Sequence, residues 1–139
     1  MRKAMLLLFA AGLIATPGEE RAITPTVMSV CQIASRAADY DGHEVAAKGI
    51  YWRTVHGAVL SASECRDQKV NIRLNAKFKA GKKDLRTLGR LANGQQAADV
   101  VFRGVFRLAR QGQCFGQDCR PFQIDADELL EVHQRHQGE

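Results

Sequence analysis

The sequence has no apolar run long enough to cross a bilayer, a span that takes about 20 residues; its longest, Ala4 to Ala15, is shorter. It therefore offers no transmembrane segment for a mature chain. Paired C-x-x-C spacings, the strong mark of a structural zinc site, are missing. So are a nucleophile elbow and any Ser, His and acid arrangement for covalent catalysis. Aromatic residues are scarce at 6%, which limits the stacking platforms available to a nucleic-acid binder. The 139 residues correspond to one domain, against roughly 100 to 200 residues per domain, and exclude most two-domain enzymes. Hydrophobic residues at 45% and charged residues at 25% exclude a disordered chain. No motif implies a cofactor or a metal, and binding is expected in preference to catalysis.

The start of the chain has the layout of a secretory signal. Arg2-Lys3 precedes the apolar run Ala4 to Ala15, and Thr16-Pro17-Gly18 follows. Cleavage is expected between Gly12 and Ala22, giving a signal peptide over 1–22 and a single domain over 23–139 in the periplasm or outside the cell. No cysteine adjoins that region, which disfavours a lipid anchor. Cys31, Cys65, Cys114 and Cys119 remain, an even count that reads in an exported chain as two disulfides with three connectivities. Cys31 to Cys65 and Cys114 to Cys119 is favoured, because the second pair flanks the Gly-containing loop tip Phe115-Gly116-Gln117-Asp118.

Charge is unevenly distributed. Residues 23–124 carry 16 basic against 8 acidic residues, a net of +8, and Arg66 to Arg90 alone holds nine basic residues. From Asp125 onward there are five acids and only Arg135. The basic body points to an anionic ligand or envelope component, unless the acidic segment 125–139 folds over it as internal counter-charge.

Periodicity gives the elements. Thr24-Pro25 suits a helix start, and Val27, Val30, Cys31 and Ala34 follow at helical spacing, predicting a helix to about Ala38. After the Asp41-Gly42 turn, strands are expected at Glu44–Thr54, Ala58–Ser63 and Lys69–Asn75, the first two joined by a hairpin at Val55-His56-Gly57. Leu85, Leu88 and Leu91 share a helical face over Lys82–Ala92, with Asn93-Gly94 as a left-handed stop. Strands over Ala98–Arg110 and Arg120–Ile124 flank the cysteine loop. Val45 to Tyr51 and Val100 to Phe106 share the pattern V-x-x-basic-G-apolar-aromatic. A glycine inside each strand suggests that both bend at equivalent places, as in a small closed barrel.

The predicted order, an N-terminal helix, three strands, a helix and two strands, resembles the oligonucleotide/oligosaccharide-binding (OB) fold. The fold class expected is mainly β, a five-stranded OB-like barrel with the second helix between strands three and four. Cys31, Asp41-Gly42, Val45, Gly49, Tyr51, His56-Gly57, Leu60 and Cys65 also make the start of the mature chain similar to a group of small exported bacterial proteins of unknown function. This resemblance implies a fold and an address but no activity. The ligand face of the OB fold, strands two and three with the first and last hairpin loops, implies Trp52, Arg53, His56, Lys69, Asn71, Arg73, Arg110 and Phe115 as candidates for ligand binding.

Three further groups could carry chemistry. Asp125, Asp127 and Glu128 could bind a divalent ion, but they fit better as a D-x-x-E capping box before a helix containing Leu129, Leu130 and Val132. His133 and His136 would share one face of that helix and permit a weak metal site. The basic stretch Lys77, Lys79, Lys82, Lys83, Arg86 and Arg90 reads first as a solvated helix face and second as a polyanion footprint. The expectation is an exported, non-catalytic OB-like binding module of unidentified ligand. A salt-dependent binder of nucleic acid or glycan, and a metal-dependent hydrolase, are the alternatives.

Overall fold

The structure, a computed structural model, describes residues 25–91 and 96–136. The expected signal peptide and the Asn93-Gly94 stop lie outside the described residues. Six strands form one sheet: β1 (Val27–Ser29), β2 (Glu44–Thr54), β3 (Gly57–Ser61), β4 (Val70–Lys79), β5 (Ala97–Leu108) and β6 (Phe122–Gln134). Three helices accompany them: α1 (Val30–Ser35), α2 (Ala37–Tyr40) and α3 (Lys82–Arg90).

Strand β2 organises the sheet because both its edges are used. Along one edge β1 pairs in parallel from Val27↔Ala46 to Ser29↔Lys48, and β3 continues antiparallel from Ile50↔Ser61 to Thr54↔Gly57. Along the other edge β5 pairs antiparallel from Glu44↔Val105 to Trp52↔Ala97. Since β3 pairs with β4, β4 runs parallel to β6, and β6 pairs with β5, five strands close a ring in the order β2-β3-β4-β6-β5. The architecture is thus mainly β, with α3 between the third and fourth strands of the ring.

Alternation fills the ring. Val45, Ala47 and Tyr51 of β2, Leu60 of β3, Val70 and Ile72 of β4, Val100, Phe102 and Phe106 of β5, and Ile124 and Ala126 of β6 share one core with Leu88 and Leu91 of the α3 region. The rings of Tyr51 and Phe78 lie 5.7 and 6.2 Å from that of Phe102.

Closing so small a ring brings backbones together at two glycines. A Cβ on Gly104 would overlap the Asp125 carbonyl oxygen and lie 2.7 Å from the Ala126 Cα; on Gly49 it would lie 2.6 Å from Leu60 Cδ2 and 2.9 Å from the Ser61 oxygen. The two echoed sequence segments pair with each other, Val45 opposite Gly104 and Val100 opposite Gly49. Each glycine therefore faces the other segment's valine across the seam. Gly49 also sits where β1 and β3 meet end to end, and Cys31–Cys65 stitches that junction, with a Cα–Cα distance of 5.7 Å. Cys114–Cys119 closes the β5–β6 loop, so the favoured connectivity is the one present.

Three expectations are corrected. The N-terminal helix starts at Val30 instead of Thr24-Pro25. Ser29 caps it by accepting from Cys31 N while Gln32 accepts from Ser29 N, a complete S-x-x-Q capping box, and the residues before it are spent pairing with β2. The acidic segment does not cap a helix. Asp125 to Val132 lie inside β6, where pairing with β5 satisfies the backbone and two register shifts leave Asp127 and Leu130 as extra residues. His133 is therefore in a strand and His136 follows it, so the helical i, i+3 pairing does not exist. Finally, β4 extends to Lys79, and Leu74 and Leu85, expected on apolar faces, are about half exposed.

Gly104→Ala should destabilise the fold by about 2–3 kcal/mol, because backbone on both sides must shift. Gly112→Ala, at an exposed turn with φ +79° and nothing near its Cβ, should cost about 1 kcal/mol. Urea denaturation of the two variants tests this order. By loop-closure entropy, losing Cys31–Cys65, which spans 34 residues, should cost about 4 kcal/mol, against about 2 for Cys114–Cys119; paired Cys→Ser variants give the comparison.

Candidate functional site

The outer face of the ring carries the polar partners of the core residues. Cross-strand registers place Trp52, Val59, Asn71, Gln123 and Arg107 in one row over β2, β3, β4, β6 and β5, and Arg73 and Asp125 in the next row. Asp125 is only 6% exposed although it points away from the core. Two arginines and an amide cover it. Arg73 Nε lies 2.9 Å from Oδ1, Arg107 Nε donates to Oδ2 at 2.6 Å, and Gln123 Nε2 donates to Oδ1 at 2.8 Å. Asn71 extends the chain by donating to Gln123 Oε1 at 2.7 Å.

Burial alone would raise the Asp125 pKa. The hydrogen bonds from Arg107 and Arg73, reinforced by their charges, reverse this and hold the carboxyl below its ordinary value. Asp125 is thus an anion at neutral pH, fixing two guanidinium groups that together exceed its charge by one.

Two loops build walls above this floor. In the β2–β3 hairpin, Thr54 Oγ1 accepts from His56 N and donates to the Gly57 oxygen, which leaves the His56 side chain exposed at the tip. The β5–β6 loop is a small stitched hairpin. Phe115 and Arg120 exchange both backbone hydrogen bonds at 2.8 Å, each next in the chain to a cysteine of the Cys114–Cys119 bridge. Gly116, at φ +69°, lies so close to Asn71 that a Cβ would sit 2.9 Å from Asn71 Oδ1, so the loop seats on β4. Between the walls is an open cleft of about 610 Å³ reached by His56, Asn71, Arg73, Arg107, Phe115 and Gln123.

Four of the eight candidates, His56, Asn71, Arg73 and Phe115, therefore come together. Trp52 and Lys69 line a neighbouring hollow of about 410 Å³ with Ile50, Arg66 and Arg135; Trp52 is half-buried and points outward. Arg53, the next residue along β2, takes the opposite side of the pleat near Tyr51. Arg110 is exposed in the loop and does not reach the cleft. Arg107 and Gln123 are not foreseen as parts of a site, and Asp125, considered above as a metal ligand, instead holds two arginines. The strict alternation of Phe122-Gln123-Ile124-Asp125-Ala126 was the available signal.

Asp127 and Glu128 are also engaged by arginine. Arg103 lies 3.4 Å from Asp127 and 2.8 Å from Glu128. Burial lowers the Arg103 pKa, but Asp127, Glu128 and Glu44 more than compensate, so it is raised and the guanidinium stays charged. His133 shares a shallow outer surface with Lys48, Asp99 and Glu131. No group of three or more metal-ligating side chains occurs among the described residues, and no described helix is long and apolar enough to cross a membrane. No family profile matches the sequence, and neither a curated protein nor a solved structure is significantly similar to it.

Because the folded-state pKa of Asp125 is depressed, its stabilising contribution is complete above the unfolded value of about 3.9 and is lost as pH falls through the folded value. Asp125→Asn should cost about 2 kcal/mol at pH 7, tempered by the half-exposed arginines, and should flatten the decline of stability below about pH 4. Denaturation midpoints measured from neutral to acid pH test both the cost and the sign.

Proposed function

We propose that the protein is an exported, non-catalytic binding module built on an OB-like barrel, and that it takes an anionic ligand in the cleft above Asp125. The observation that carries this reading is the pair of guanidinium groups, Arg73 and Arg107, held on one buried carboxylate at the floor of an open cleft. A guanidinium presents five donors in a fixed fork suited to phosphate, sulfate or carboxylate oxygens. Fixing two of them before a ligand arrives reduces the ordering cost of binding. Asp125 uses part of their donor capacity and leaves an excess positive charge. Phe115, half-buried at the rim, offers a ring edge to a flat base or sugar.

The closed five-stranded ring, the parallel β4–β6 pair and the placement of α3 support the OB-like reading. The two disulfides are compatible with an oxidising compartment and so support export. A longer polyanion is favoured by one further observation: the row from Arg107 to Trp52 connects the cleft to the hollow bordered by Arg66, Lys69 and Arg135. An anionic oligomer lying across the strands would meet Arg107 at one end of that row and, at the other, the Trp52 indole with the cations of the hollow beyond it. The metal-dependent hydrolase reading has less support, because Asp125, Asp127 and Glu128 are all engaged by arginines.

The test is titration of the oxidised protein with a single-stranded oligonucleotide and with a sulfated oligosaccharide, followed by residue-resolved NMR at low salt. Shifts should centre on Arg73, Arg107, Asn71 and Phe115 for at least one probe. Arg73→Ala and Arg107→Ala should each weaken binding about tenfold or more, the worth of a charge-assisted hydrogen bond. Absence of binding by both probes at about 50 mM salt, where phosphate contacts are strongest, would remove the anionic-ligand reading.

A further inference from the structure

A second charged surface lies away from the cleft. Helix α3 is fixed by Leu88, which is buried, and by Leu91 just beyond its end. At about 100° per residue, Lys82, Lys83, Arg86 and Arg90 fall within an arc of about 100° opposite Leu88, and all four are exposed. The preceding strand adds two more cations. Phe78 turns inward onto Phe102, at 6.2 Å, so Lys77 and Lys79 occupy the opposite pleat of β4 and are exposed. None of these six cations forms an ion pair among the described residues, whereas Arg36, Arg73, Arg103, Arg107, Arg120 and Arg135 all do. The acidic segment meets this patch at Glu128, which lies opposite Lys79 across β4 and β6 but whose carboxylate is held by Arg103. A large exposed apolar side chain belongs to the same helix: Leu85, on the flank of α3, is 46% exposed.

We propose that the outer half of β4 and the exposed face of α3 form a docking surface for an anionic lipid bilayer, with the six cations over the headgroups and Leu85 at the interface. Charge complementarity supplies the attraction, worth about a fivefold gain in affinity for each lysine or arginine near such a surface. Three features favour a bilayer over nucleic acid. The patch presents an exposed leucine, Leu85, which a phosphate polymer has no use for but the headgroup boundary accepts. It presents no exposed aromatic ring for base stacking, since Phe78 faces the core. Four of its six cations are lysines, point charges whose aliphatic stems lie along apolar surface while the ammonium stays in water.

Co-sedimentation of the oxidised protein with vesicles tests the proposal. Phosphatidylcholine vesicles containing about 30% phosphatidylglycerol should bind it at low salt, and pure phosphatidylcholine vesicles should not. The triple variant Lys82→Gln, Lys83→Gln, Arg86→Gln should lose affinity about a hundredfold, while Lys48→Gln, a cation outside the patch, should bind as the unaltered protein does. Leu85→Asn should retain binding at low salt and lose it earlier than the unaltered protein as salt rises. Failure to bind anionic vesicles at low salt would overturn the proposal, as would binding by the unaltered protein that survives about 1 M salt undiminished, where the Debye length is about 3 Å. Full displacement from vesicles by an oligonucleotide bound at the same lysines would instead assign the patch to nucleic acid and overturn it too.

Discussion

Pairing along both edges of β2 is the constraint on which the rest of the structure depends. With β3 on one side of β2 and β5 on the other, the β4–β6 and β6–β5 pairings close the sheet on itself, and closure with five strands leaves little room between backbones. Gly49 and Gly104 relieve the two tightest approaches. Once β5 is held against β2, β6 is carried round to β4 and runs parallel to it. Only then does Asp125 fall between Arg73 and Arg107, which come from strands that β6 separates in the sheet. The polar floor of the cleft is a product of ring closure and belongs to no single segment.

The same dependence explains what could be read in advance. Strand β2 matches its expected span, Glu44–Thr54, because its composition and flanking turns are local signals. Helix α3 and the pairing of four cysteines were legible for similar reasons. Strand β6 was not. Asp125-Ala126-Asp127-Glu128 before Leu129 and Leu130 has a helix-start pattern, and the extra residues Asp127 and Leu130 break the alternation that marks a strand. What decides its state is hydrogen bonding to β5, a long-range contact absent from any local window. The site shows the same division. His56 and Phe115 were visible as loop-tip residues and Asn71 and Arg73 as the outer face of a strand, whereas Arg107 and Gln123 enter only through the register of β5 with β6. Trp52 and Arg53, adjacent in sequence, part company because a strand sends successive side chains to opposite faces.

The charge asymmetry of the sequence also resolves into two parts. The acidic C-terminal segment does act as internal counter-charge, but only for arginines on β4 and β5 within reach of β6. Its carboxylates organise the cleft by binding arginines without neutralising all of their charge. Of the lysines that follow Arg73, Lys77, Lys82 and Lys83 lie beyond the point where β4 leaves β6 after Leu74, and Lys79, which rejoins β6 opposite Glu128, finds that carboxylate held by Arg103.

The two disulfides divide the chain unequally. Cys31–Cys65 lies wholly before β4, and Cys114–Cys119 lies wholly within the β5–β6 connection. Neither crosses the β2–β5 or β4–β6 seam, so the ring is closed by hydrogen bonds and packing alone. No disulfide therefore ties the β5–β6 hairpin to the rest of the ring, to which it is joined by the peptide chain alone, and parting the two would leave both bridges intact. The topology permits exchange of that hairpin between two copies of the chain, with every seam re-formed in the pair.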